Sequence, residues 1–209
     1  MKFPQVKNIL IAVAVLPLMI AQHATAGIVA PPPVFIPPTI GPVGPVFVPP
    51  LPVASKDLSD EATAAIEKQL LAASLFCTQL SGNEYTIDCL GDAFQQIAKS
   101  MPNTGDYADA QAAIEQAARK LRALARTNAS PELPRGYVRS TGPDAQRSSS
   151  PLTPVRTDTM AQTNAAALAI LLELETILLR SAENSALRRV HYERIALAVG
   201  SNKVLLRST

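Results

Sequence analysis

The chain has 209 residues, of which 47% are hydrophobic and 17% charged, with 18 prolines, two cysteines, two histidines and no tryptophan. Its formal net charge of +2 depends on Lys2 and Lys7: without them 17 basic residues face 17 acidic ones. A chain so balanced lacks the electrostatic footprint of a nucleic-acid binder, so no nucleic-acid partner is expected.

Residues 1–26 read as an export signal. Lys2 and Lys7 form a positive start, Ile9 to Ala21 an apolar stretch, and Ala24-Thr25-Ala26 a small-x-small cleavage site before Gly27. The stretch is short and contains Pro17, whereas a spanning helix needs about 20 apolar residues. Cleavage between Ala26 and Gly27 is therefore expected, with no transmembrane helix in the mature chain and a location in the periplasm or cell envelope. It also removes His23 and leaves His191 alone.

Residues 27–53 hold ten prolines and no charge. Pro-Val-Phe-Ile-Pro-Pro at 33–38 recurs as Pro-Val-Phe-Val-Pro-Pro at 45–50. Proline fixes φ and removes amide donors, so a polyproline II arm is expected rather than helix or strand. Two readings stand for its aromatics: Phe35 and Phe47 strap across the protein's own core, or they dock as a repeated contact on another protein.

From residue 54 the composition changes to that of a helical unit, expected to run to residue 127. Thr63, Ile66, Leu70, Ala73, Cys77 and Leu80 lie on one helical face, entered through Ser59-Asp60-Glu61 and closed by Ser81-Gly82-Asn83. Ile87, Leu90, Phe94, Ile97 and Met101 repeat the spacing in a second helix that stops before Pro102. Tyr107, Ala110, Ile114, Ala117, Leu121 and Leu124 form a third seam. Its early acids, Asp106 and Asp109, and its late bases suit the helix dipole. Cys77 ends the first helix and Cys89 begins the second, so a tight antiparallel pair brings them together. With two cysteines in an exported chain, a structural disulfide follows. Their spacing suits neither a redox pair nor a zinc site.

Within this unit, Cys89-Leu90, Phe94, Ala98, Pro102, Gly105-Asp106-Tyr107-Ala108 and Lys120-Leu121 resemble a pattern in uncharacterised exported helical proteins of Gram-negative bacteria. The resemblance spans some 40 residues; it implies an envelope protein and no activity, ligand or catalytic residue.

Residues 128–157 contain five prolines, a Ser148-Ser149-Ser150 run and scattered arginines without apolar period. They read as a flexible, disordered linker. Thr157-Asp158 can then cap a helix. Met160, Asn164, Ala167, Leu171, Leu174 and Leu178 form one stripe of it; Ile170, Ile177, Leu168, Leu172 and Leu179 nearly wrap it round, which predicts a buried central helix or a dimer seam. After a break at Asn184-Ser185, a last helix carries Leu187, Val190 and Leu197 on one arc and Tyr192, Ile195 and Val199 on another. It should be covered on two sides and end at Gly200, with residues 203–207 packing back as a short strand or turn. The fold class is thus all-α: a disulfide-tied three-helix unit (54–127) and a C-terminal helical pair (158–209), preceded by the arm. Whether the two units share a core is left open.

The acids concentrate in residues 54–110 and the bases in residues 111–157, which predicts mutual attraction across a solvated surface. No phosphate loop, nucleophile elbow or carboxylate pair appears, and no cofactor or metal is expected. Three functions compete. The first is a non-catalytic interaction or assembly module, acting on a protein partner or on itself. The second is a small-ligand carrier or enzyme whose site would draw on Tyr107, His191, Arg188, Arg189 and Arg194. The third is peripheral contact with a membrane surface.

Overall fold

Helix α1 spans Asp60–Thr78, and its start follows from chemistry at Ser59, whose side chain accepts the Ala62 amide at 3.1 Å. The remaining helices are α2 (Thr86–Ser100), α3 (Ala108–Thr127), α4 (Met160–Ser181) and α5 (Ala186–Ser208). The structure, a computed structural model, describes residue 47, residues 56–141 and residues 145–208. The expected cleavage site at Ala26 and Gly27, Phe35 and all of the arm except Phe47 lie outside the described residues.

Each helix packs on the next, and α5 returns against α1, so the five close into a ring around one core. The two helical units therefore share that core. All of the apolar positions read for α1 and α2 are buried; in α3 and α4 only the terminal members, Leu124 and Met160, are half-buried. Alanines at 110, 113, 117 and 118 of α3 are buried in it as well. At Gly91 a Cβ would lie 2.6 Å from Arg122 Cγ and 3.2 Å from the Ala118 carbonyl, so glycine is what lets α2 approach α3.

The disulfide is present as expected. Cys77 and Cys89 are bonded with Cα atoms 5.8 Å apart, and both are buried where α1 hands over to α2. Closing so small a loop contributes about 3 kcal/mol in the chain-entropy account.

Four expectations are corrected. Residues 128–157 are not a disordered linker. Outside 142–144, which lie beyond the described residues, they form an irregular hairpin whose rungs are backbone bonds. Ser130 N reaches Pro154 O at 2.8 Å, Leu152 N reaches Gly136 O at 2.8 Å, and Ser148 N reaches Val138 O at 2.9 Å. Prolines at 131, 134, 151 and 154 withhold donors, so only isolated bridges form and no regular strand. Leu152 and Val155 are fully buried, and the hairpin covers the side of α2 that the helices leave open. The helix enclosed on most sides is accordingly α2. Helix α4 sits in the ring wall, with Leu172 and Leu179 exposed at 50% and 44%.

The third correction concerns α5, which runs through Gly200 to Ser208 without a strand or turn. Asn202, Leu205 and Leu206 continue the buried arc of Tyr192, Ile195 and Val199, and that packing outweighs glycine's roughly 1 kcal/mol preference against a helix interior. The other arc, Leu187, Val190 and Leu197, is exposed rather than covered. Finally, Thr157-Asp158 do not cap α4 with a side chain; they belong to a single 3-10 turn in which Asp158 pairs with Arg156.

Candidate functional site

Tyr107, Thr63 and His191 meet inside the ring, from the turn before α3, from α1 and from α5. Thr63 Oγ1 lies 2.7 Å from the Tyr107 hydroxyl and 2.8 Å from His191 Nδ1, and all three residues are buried. The Tyr107 hydroxyl donates to the Ser59 carbonyl at 3.1 Å. Its single proton is then spent, so Thr63 donates to Tyr107 and accepts from Nδ1–H of His191. Tyr192, next to His191, donates to the Asp106 carbonyl at 2.7 Å, and burial pushes its phenol up to about 12. These groups tie the N-terminal ends of α1, α3 and α5 together.

The arginines do not join that cluster. Arg188 reaches Asp106 at 3.1 Å and Asp109 at 3.2 Å, Arg194 holds Glu67 and Asp60 at 2.8 Å each, and Arg189 donates to the Glu183 carbonyl at 2.9 Å. Hydrogen bonds to Asp106 and Glu67 raise Arg188 and Arg194 above the ordinary arginine value. Two of the five proposed side chains thus converge through Thr63, and three serve ion pairs or a backbone carbonyl on the surface.

A second polar cluster fixes the hairpin to α2. Asp92 accepts from the Ser149 amide and hydroxyl, from Ser150 Oγ at 2.7 Å and from Arg122, which also donates to Gln95 at 2.8 Å and Ser150 at 3.1 Å. Asp88 accepts the Thr153 amide at 2.7 Å, and its other oxygen lies 3.4 Å from Arg122 Nε without an aligned hydrogen bond. Burial raises the Asp88 carboxyl above its ordinary range; the Thr153 amide and Arg122 oppose that rise. These contacts are intramolecular, with both aspartates buried, and they join acids of the 54–110 stretch to Arg122 and to the uncharged donors of Ser149, Ser150 and Thr153, whereas the charge distribution predicted attraction across a solvated surface. Sequence reasoning missed the cluster. The available signal was two aspartates four residues apart on α2, opposite a serine run.

The outside of the ring carries exposed apolar side chains. Leu71 and Leu75 of α1, Val190, Leu197 and Val204 of α5, and Leu172 and Leu179 of α4 are exposed on three neighbouring helices. Leu197, at 77%, is the most exposed of them. Between α4 and α5 runs an open groove of about 650 Å³ lined by Glu175, Leu179, Glu193, Ala196, Leu197, Gly200 and Lys203. A Cβ at Gly200 would stand 3.1 Å from Glu175 Oε1. The glycine therefore keeps the groove open beside the 2.7 Å Lys203–Glu175 pair.

No family model, curated protein or solved structure matches this chain.

Of the sequence-predicted site residues, Cys77 and Cys89 form the brace. Phe47 is 6% exposed; its ring stacks on Phe76 at 4.7 Å and its amide donates to the Arg147 carbonyl at 2.9 Å. For Phe47 the strap on the protein's own core is the arrangement found. Among the described residues no group of histidine, cysteine and carboxylates is placed to hold a metal. One helical stretch among the described residues, Thr157–Ser181, is long and apolar enough to cross a membrane. In the structure its stripe of Ala167, Leu171, Leu174 and Leu178 is buried in the ring core.

Proposed function

We propose that the chain is an exported, non-catalytic interaction module of the bacterial cell envelope that binds protein surfaces through α1, α4 and α5. The observation that carries this reading is the exposure of Leu71 and Leu75 on α1, Leu172 and Leu179 on α4, and Val190, Leu197 and Val204 on α5, the helix that packs against both of the others. Exposed apolar patches of several hundred Å² on a soluble protein mark contact surfaces. Export is supported by the residue 1–26 pattern and by the Cys77–Cys89 bond, which persists in oxidising compartments. The polar groups best suited to chemistry have structural employment: His191 and Tyr107 in the ring interior, Asp88 and Asp92 on the hairpin.

Photo-crosslinking in the intact envelope tests this. A crosslinking residue placed at Leu75, Leu179 or Leu197 should give discrete adducts, and one at Arg119 on α3 should not. Absence of adducts at all three positions on the apolar face would refute the reading.

A further inference from the structure

Helix α5 runs from Ala186 to Ser208, and its midpoint is residue 197. Leu197 is 77% exposed; Val190 and Val204, seven residues before and after it, are 55% and 65% exposed. Seven residues are nearly two turns, so the three form one strip down the outside of the helix. The strip reads the same in both directions about Leu197. A two-fold axis across that residue lays α5 antiparallel on α5 of a second molecule, the self-complementary arrangement of an isologous pair. Leu197 then meets Leu197, and Val190 meets Val204 of the other copy.

The surface around the strip fits such a copy. Glu193, Ala196, Leu197 and Gly200 line the groove at i, i+3, i+4 and i+7, the hole that receives a knob from a facing helix. Leu197 of the second copy is the knob that falls there. Charge agrees at the centre. Glu193 is exposed and makes no ion pair among the described residues. Antiparallel pairing about Leu197 puts it opposite position 201 of the other copy, within a turn of that copy's Lys203. Each Lys203 then lies between Glu175 of its own chain, at 2.7 Å, and Glu193 of the other. Glu175 and the incoming Glu193 share that one ammonium, while Arg189 approaches Arg207 of the second copy at the rim, where both are exposed and salt screens them. Area is sufficient as well. A helix of 23 residues is about 34 Å long, and with α4 beside it the face is about 20 Å wide, an outline of roughly 700 Å², within the ~600–1,000 Å² per partner of a standard interface.

We infer that the partner of this face is a second copy of the chain, docked through α5 about Leu197. The inference rests on the reading of the face as a contact surface. Every cysteine of the described chain is in the disulfide, so introduced thiols report the pairing cleanly. In the chain beginning at Gly27, Leu197→Cys should give a covalent homodimer with a short bis-maleimide. Val190→Cys and Val204→Cys should crosslink poorly alone and well when mixed. Leu197→Glu should sediment as a monomer with an unchanged helical spectrum and a melting point close to wild type, because the side chain is 77% exposed in its own chain.

A chain that remains monomeric up to millimolar concentration overturns the inference. So does a dimer that crosslinks at Leu75→Cys but not at Leu197→Cys. Dimerisation only after deletion of residues 27–53 would overturn it too, by making the arm the occupant of this face. If photo-crosslinks at residue 197 in the envelope contain only other proteins, self-association falls while the interaction reading stands.

Discussion

Replacing Asp92 by alanine should release the 145–156 side of the hairpin from α2 while leaving the helix ring assembled. Asp92 is 4% exposed and accepts four hydrogen bonds, from the Ser149 amide and hydroxyl, from Ser150 Oγ and from Arg122. Removing one partner of a buried, hydrogen-bonded charge costs about 3–5 kcal/mol, because the others are left without a counterpart. Here the loss falls at the lower end. Arg122 keeps Gln95 and the Asp88 carboxylate, its side chain is 17% exposed, and water can reach it. About 3 kcal/mol is therefore expected, a large share of the ~5–15 kcal/mol that stabilises a domain. Urea unfolding followed by circular dichroism measures the loss. Amide exchange at Ser148, Ser149 and Leu152 localises it, with protection falling there before it falls in α3 or α5. A loss under about 1 kcal/mol with unchanged exchange at Ser149 would refute the brace, and with it the claim that this proline-containing segment is ordered by α2.

Three further outcomes are expected. Because the folded protein holds the Asp88 carboxyl above its ordinary value of 3.8, it takes up a proton more readily than the unfolded chain does. The stability from that proton is full below the unfolded value and lost as pH rises through the folded one; wild type should therefore gain on Asp88→Asn as pH falls from 7 towards 4. Urea midpoints at several pH values check this, and a pH-independent difference would sink it. Phe47→Ala removes a buried ring stacked on Phe76 and should lower stability by about 3 kcal/mol; an unchanged melting temperature would refute that contribution. Thr63→Val keeps volume but removes the link between Tyr107 and His191, and should cost about 1–3 kcal/mol in thermal denaturation.

The helices were legible because their determinants are local. The 3-4 spacing of Ile66, Leu70, Ala73 and Cys77, the Ser59 cap, and the stop before Pro102 act within a few residues, and the disulfide follows from two helix ends meeting in a tight turn. The buried hairpin was not legible by the same means. Its order comes from Asp88 and Asp92, some 57 to 65 residues distant, receiving its amides and hydroxyls. Proline and serine disfavour regular structure, but regular structure is not needed for burial when the donors find scattered backbone carbonyls and the carboxylates of α2. Composition measured the absence of a ladder and read it as the absence of order.

The same reasoning explains why the outer face of α5 was misjudged and why it matters. Periodicity identifies apolar arcs, and α5 has two of them, but it does not say how many neighbours a helix will have. In a closed ring each helix has two flanking partners and one inward side, so one arc of α5 is filled by Tyr192, Ile195 and Val199 and the other faces out. Fold stability alone does not require Leu197 or Val204 to be apolar, since neither is buried by the chain's own helices. An exposed leucine by itself is ordinary. Val190, Leu197 and Val204 at equal spacing, centred on their helix and set beside an i, i+3, i+4, i+7 hole kept open by Gly200, form a pattern that a second helix can fill and that solvent has no use for.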